Sequence, residues 1–151
     1  EAVASYDHLL KVVRALTRDK SQVLEAFQRM VFNVYASVRN DHPDNFSFVM
    51  DAKGKWRLAP AYDLNFDDRQ TGHSLLVNGK AVPSKKDFLE VASRFELGSA
   101  DVKSTFEVVE QAISQWKTIA KDSGVDAEFA NRIDYTLQQG LARGGEFDRF
   151  S

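Results

Sequence analysis

Cysteine is missing altogether from the 151 residues, so neither a disulfide framework nor a thiolate metal site can be built, and a cytoplasmic setting suits the chain. No apolar run approaches the length that a bilayer crossing needs, and no stretch resembles a signal peptide. A dominant excess of either charge is missing as well. The 20 basic and 22 acidic residues are interspersed and leave a formal charge of −2, which provides no extended basic face for DNA or RNA. No glycine-rich phosphate loop and no strand lysine stands in the first part of the chain, because residues 1–37 are helical in pattern. Gly144-Gly145 lacks the strand and helix that would make it a cradle. No methionine precedes Glu1, which suggests a fragment or a processed chain. Core material is abundant: 43% apolar residues, with 11 phenylalanines and 2 tryptophans, suffice for one ordinary domain over 1–151.

Apolar spacing divides that domain into elements. Tyr6, Leu9, Leu10, Val13 and Leu16 recur at helical spacing, and Val23, Leu24, Phe27, Val31, Val34 and Tyr35 do so again after Ser21, a suitable N-cap. Two helices are therefore predicted over about 5–37. From Phe46 the period changes: Phe46, Phe48 and Met50 alternate with Ser47, Val49 and Asp51, as in a half-buried strand. Asp51-Ala52-Lys53-Gly54 reads as a turn and Lys55-Trp56-Arg57-Leu58 as the returning strand. Residues 67–83 read as loop, with a short strand at Leu75-Leu76-Val77. Ser84 and Asp87 form a capping-box pattern ahead of Phe88, Leu89, Val91 and Ala92. Val102, Phe106, Val109, Ile113, Trp116 and Ala120 make one stripe of a longer helix that stops near Gly124. Asp126 can cap a last helix bearing Phe129, Ile133, Leu137 and Leu141. The expected fold is mainly α, a helical domain with a short β-hairpin inserted near its start.

The chemistry is concentrated in Val38-Arg39-Asn40-Asp41-His42-Pro43-Asp44-Asn45, followed by Phe46-Ser47-Phe48 and, across the hairpin, by Ala59-Pro60-Ala61-Tyr62-Asp63-Leu64. So many Asn, Asp and His residues between a helix and a strand serve ligand binding better than secondary structure. The hairpin reverses the chain and can return Asp63 to the neighbourhood of Asn45, so that one carboxylate and one amide oxygen converge. Phosphoryl transfer by a kinase uses such a set: a base or hydroxyl-orienting group, an Asn five residues later as a Mg²⁺ ligand, and a following Asp as the main metal ligand. Mg²⁺ is hard and takes oxygen donors, commonly one or two carboxylates with water and phosphate. Against the kinase catalytic loop H-R-D-x-x-x-x-N, Arg39, Asn40 and Asn45 fall on the Arg, Asp and Asn positions.

The longer string resembles the HipA-like toxin kinases, in which a loop N-R-D-D-H-x-K-N-F-S-F precedes a hairpin ending L-A-P-A-Y-D-L. Arg39, Asp41, His42, Asn45, Phe46, Ser47, Phe48 and then Leu58 to Leu64 match that form, and the helix with Phe27, Arg29, Val31, Phe32 and Asn33 is similar to the segment leading into it. The resemblance covers nearly the whole chain, the last sixty or so residues in helical character only. It implies the helical C-terminal lobe of a bilobal kinase that transfers the ATP γ-phosphoryl group to a serine or threonine hydroxyl, often on an aminoacyl-tRNA synthetase, and that a helix-turn-helix antitoxin restrains. It also implies Mg²⁺ on Asn45 and Asp63, an ATP site bordered by His42, Asp44, Asn45, Tyr62 and Asp63, and Asn40 at the catalytic-base position, with Asp41 as the alternative base one residue on. The ATP-gripping N-terminal lobe is not in this chain and would come from the same protein or another one.

Three positions depart from the family pattern. Asn40 stands in place of Asp, and an amide cannot accept a proton at neutral pH. Val38 replaces an Asn, and Asp44 replaces a Lys, which inverts a charge near the ATP phosphates. The isolated chain is therefore expected to be inactive, and a pseudokinase-like module that docks a partner stands as the alternative function. A metal-dependent nuclease built on Asp41, His42, Asp63 and His73 explains the order of Asn45, hairpin and Asp63 less well. Plainer roles remain open: Asp63 as a turn cap, His42 as a loop brace, His73 and His8 as solvent-exposed side chains, and Trp116 as core.

Overall fold

Ser5 opens the first helix by accepting from the His8 amide at 3.3 Å, and α1 runs Tyr6–Thr17. The computed structural model describes residues 4–145, with side chains through 143. Arg18 takes a left-handed conformation and its amide bonds the Arg14 carbonyl, so α1 ends there. The cap of α2 (Lys20–Tyr35) is Asp19, not Ser21: its Oδ1 accepts from the Ser21 amide at 2.9 Å and from the Ser21 hydroxyl at 2.7 Å. Ser21 is thus already inside the helix, where it holds the capping carboxylate. α1 and α2 pack on each other through Tyr6, Leu10 and Val13 on one side and Val23, Phe27 and Met30 on the other, all buried.

The hairpin is shorter than its alternation predicts. β1 (Phe48–Met50) pairs antiparallel with β2 (Trp56–Leu58), Phe48 opposite Leu58. Met50 is 56% exposed rather than inward. The base of the hairpin is fastened where the Leu58 amide donates to Gln22 Oε1 at 2.7 Å and the Ala59 amide to the Ser47 carbonyl at 2.9 Å, and nearer the tip Lys55 reaches Asp19 at 3.8 Å. The tip closes over Asp51, whose Oδ1 accepts from the Lys53 and Lys55 amides, with Gly54 at φ +78°.

No strand forms at residues 75–77. Leu76 makes one parallel bridge to Ser5, and Val77 pairs with Lys80 across Asn78-Gly79, both at positive φ. The turn reverses the chain at once and leaves no length for a strand. α3 (Lys85–Arg94) starts where the Ser84 amide donates to Asp87 Oδ2 at 2.8 Å. Burial opposes it, but hydrogen bonds from Lys80, Ser84 and Asn78 hold the Asp87 carboxyl well below the usual carboxylate range.

The stripe from Val102 to Ala120 is two helices, α4 (Ser99–Ser114) and α5 (Trp116–Asp122). At the break the Gln115 amide turns to the Ala112 carbonyl, the Ser114 hydroxyl takes the Gln111 carbonyl, and the Trp116 indole donates to the Ala130 carbonyl. That last bond commits Trp116 to α6 (Ala127–Gly145). α6 begins as expected at Asp126, which accepts from the Phe129 amide at 3.1 Å. It passes so close to the end of α2 that a Cβ at Gly140 would lie 3.1 Å from the Tyr35 carbonyl oxygen. Edge-to-face contacts among Phe27, Phe88, Phe106 and Tyr35 tie α2, α3 and α4 into one core. Among the described residues no helix is long and apolar enough to cross a membrane.

Candidate functional site

The polar loop leaves α2 through a Schellman motif. Ser37 is left-handed, with φ 55°, its amide bonds the Val34 carbonyl, and the Val38 amide bonds the Asn33 carbonyl at 2.8 Å. The loop that follows brings Asp41 to Tyr6 at the start of α1. Arg39 is then held at both ends: its carbonyl accepts from the Ser74 amide and hydroxyl at 3.1 Å each, and its guanidinium donates to the Gln70 carbonyl.

Asp41 is the deepest residue of the loop, 1% exposed. Oδ2 accepts from the Tyr6 hydroxyl at 2.6 Å and from His73 Nδ1 at 3.1 Å, and Oδ1 from the Ser74 and Leu75 amides at 2.8 and 3.3 Å. The Tyr6 hydroxyl accepts in turn from Asn33 Nδ2 at 3.0 Å. Burial, with the Asp41 charge beside it, pushes the Tyr6 phenol well above its ordinary range. Asp41 therefore anchors the loop to α1, α2 and the 73–75 segment, and to act as a base it would have to leave four hydrogen bonds. His73 is not solvent-exposed as its polar neighbourhood predicts. Its side chain is 5% exposed because the Asp41 carboxylate draws it inward.

After Asp41 the chain turns outward. His42 is exposed and opens a 3₁₀ turn, Pro43–Asn45, its carbonyl accepting from the Asn45 amide at 3.0 Å. Asp44 is exposed, and its backbone carbonyl accepts from the Tyr62 hydroxyl at 2.7 Å. Asn45 donates Nδ2 to the Asn40 carbonyl at 3.1 Å, which fixes the amide and leaves Oδ1 as an acceptor. Asp63 takes a left-handed φ of 53°, uncommon for a residue with a side chain, and accepts from Asn65 Nδ2 at 2.5 Å.

Asn45 and Asp63, 18 positions apart in the sequence, line one cleft of about 300 Å³ together with Asn33, Asp41 and Tyr62. Asn40, His42 and Asp44 do not line it. Apolar walls come from Phe46, Leu64, Val108 and Val109, and Arg29 at the rim is occupied by Glu25 and the Ala59 carbonyl. The cleft is lined by three carboxylates, Glu25, Asp41 and Asp63. With Glu25 on Arg29 and Asp41 held by four hydrogen bonds, the Asp63 carboxylate and the Asn45 amide oxygen are the donors that could serve Mg²⁺, which keeps several waters of its own. Among the described residues no three His, Asp or Glu side chains gather as a metal site, so Asp41, His42, Asp63 and His73 do not form the cluster that the nuclease reading requires. Sequence reasoning missed Tyr6, Asn33 and Ser74 as parts of this architecture. Their polar groups at helical or loop positions carry no local signal, since each finds its partner more than 25 residues away.

A sequence model described as the HipA-like C-terminal domain matches residues 1–116, which include every residue of the cleft. Among solved structures, a chain of the Shewanella oneidensis MR-1 toxin–antitoxin complex of HipA, HipB and operator DNA shares the fold with a TM-score of 0.68 at 18% identity. The superposition covers 93% of this chain and 35% of that one, so this chain spans about a third of its neighbour's length. Comparison with curated proteins gives no match.

Proposed function

Because the chain belongs to the HipA-like C-terminal domain family, we propose that it is the metal-binding lobe of a protein serine/threonine kinase that transfers the ATP γ-phosphoryl group to a protein hydroxyl. The observation that supports this reading is that Asn45 and Asp63, which stand before and after the hairpin, both line one cleft. Bound there, Mg²⁺ would neutralise charge on the nucleotide phosphates. The chain's own part is positional: the Asn40 carbonyl orients the Asn45 amide, Tyr62 ties the far side of the hairpin to the loop, and Asp41 fixes the loop to the core.

Asn40 occupies the base position with a group that takes no proton, and the phosphate-gripping half of the site would be contributed by an N-terminal lobe. The chain by itself should therefore turn over little or no ATP, because phosphoryl transfer depends on positioning and charge stabilisation from both halves. A toxin–antitoxin role, with a helix-turn-helix antitoxin as partner and a protein substrate such as an aminoacyl-tRNA synthetase, is part of the same proposal. Its support is the family and the HipA–HipB neighbour. The second reading, a partner-binding module without catalysis, is favoured by Asn40 and by Asp44, whose charge opposes ATP phosphates. Calorimetric titration with Mg²⁺–ATP of the two-lobed protein, in which the N-terminal lobe is supplied, separates them. The kinase-lobe reading expects binding that Asp63→Asn removes, and no binding, or binding indifferent to that change, favours the docking module.

A further inference from the structure

A second cavity, of about 200 Å³, shares no lining residue with the Asn45–Asp63 cleft. Its walls are the end of α2, the stretches around Gly72 and Val82, and α6 from Tyr135 to Arg143. Its charged lining is of one sign: Arg39, Lys85 and Arg143 border it beside His73, and no carboxylate does. The chain as a whole has 22 acidic residues against 20 basic ones, so the charge balance around the cavity differs from that of the sequence. Cations gathered without a carboxylate repel each other, and an anion among them relieves that repulsion.

The individual groups are suited to such a ligand. Arg39 uses part of its guanidinium on the Gln70 carbonyl and keeps further N–H donors in a planar fork that matches phosphate oxygens. Neither Arg39 nor Lys85 pairs with a carboxylate among the described residues. Lys85 lines the cavity but holds its ammonium 5.2 Å over the Phe106 ring, which is not in the lining, so it contributes positive potential from the edge. The walls are closely fitted, since a Cβ at Gly72 would fall 2.8 Å from the Ala81 Cβ.

We infer that this cavity binds a phosphate dianion, either free or as the phosphoryl group of a small phosphomonoester. The inference does not rest on the kinase reading. The volume admits a phosphoryl group with a small carbon body and is below that of pockets that enclose drug-sized ligands. Its occupant touches the residues that hold the neighbouring loop: Arg39 directly precedes Asn40 and Asp41, and His73 is bonded to Asp41. Occupancy therefore ties α6 to the back of the loop whose front carries Asn45.

The test is an amide-resolved NMR titration of the 151-residue chain with inorganic phosphate and, separately, with glycerol 2-phosphate, against sodium chloride at matched ionic strength. The expected result is saturable shifts at Gly72, His73 and Gly140, weakened about tenfold or more by Arg143→Gln, the loss of one charge-assisted hydrogen bond. Arg143 is exposed on α6, so its replacement leaves the core intact, and Lys85→Gln, from another wall, gives a second reading of the same loss. Tighter binding of glycerol 2-phosphate identifies a phosphomonoester as the ligand, and tighter binding of phosphate identifies the free anion. Shifts confined to Asn45 and Asp63, shifts that chloride reproduces, or affinity unchanged in both variants would overturn the inference.

Discussion

Replacing Tyr6 by Phe removes one oxygen and very little volume, so its cost comes mainly from the polar network under the loop. The ring keeps its edge-to-face contact with Phe46 at 6.0 Å, and no cavity opens. Two polar groups lose their partner: Asp41 Oδ2 keeps only His73, and Asn33 Nδ2 has no acceptor, in a side chain whose Oδ1 is already unpartnered. A hydrogen bond to a charged group contributes about 1.5–3 kcal/mol net, and a buried donor left unsatisfied costs about 1–3 kcal/mol. Some of the second cost is relieved by rearrangement, so the expected loss is about 3 kcal/mol. At the roughly 2–4 °C per kcal/mol usual for a domain of this size, the melting temperature should fall by about 6–12 °C. Urea unfolding should show a lower midpoint at unchanged m-value. Tyr62→Phe is the control. It removes an exposed hydroxyl from the Asp44 carbonyl and should cost less than about 1 kcal/mol. A Tyr6→Phe protein within about 0.5 kcal/mol of the parent would show that the network does not anchor the loop.

Asp87 gives a pH-dependent prediction. Its folded carboxyl lies well below the usual range and its unfolded one near about 3.9, so its contribution is complete above the unfolded value and is lost as pH falls through the folded one. Asp87→Asn should cost about 1–3 kcal/mol at neutral pH, and its deficit relative to the parent should shrink in urea melts carried below pH 4. In the two-lobed protein, Asn40→Asp should raise phosphoryl transfer by about 10²–10⁴-fold with little change in ATP affinity. If Asn40→Asp gains nothing while a folded Asp41→Asn protein loses turnover, Asp41 is the base despite its four internal hydrogen bonds.

Local patterns carried most of the helices into the sequence reading, and long-range polar contacts carried little. The faces of α1 and α2 were legible because Tyr6, Leu10, Val13, Val23, Phe27 and Val31 repeat at helical spacing and are buried where that spacing places them. The Ser84–Asp87 box was legible because both partners lie within one turn. The break at Gln115 was not, since apolar periodicity runs through it, and the bond that accompanies it joins Trp116 to a carbonyl 14 residues away. Asn78-Gly79 did carry a signal for the tight reversal that replaces the expected strand, but the apolar run Leu75-Leu76-Val77 outweighed it. His73 was misplaced for a related reason: its polar neighbours describe a surface loop, while its position is set by a carboxylate 32 residues earlier. At the site, the placement of Asn45 and Asp63 on one cleft was readable from the hairpin between them. The anchoring of Asp41 was not, because nothing near it in the sequence names Tyr6 or Ser74.

The central claim is that Asn45 and Asp63 share one divalent ion, and anomalous scattering from a Mn²⁺-soaked crystal tests it most directly. Mn²⁺ takes the same oxygen donors as Mg²⁺, and its signal locates the ion without reference to activity. The predicted result is a single strong peak in the cleft, within about 2.0–2.3 Å of Asn45 Oδ1 and of an Asp63 carboxylate oxygen, which disappears in Asp63→Asn. A peak elsewhere on the protein with none in the cleft, or Asn45 and Asp63 oxygens too far apart for one ion to bridge, would contradict it.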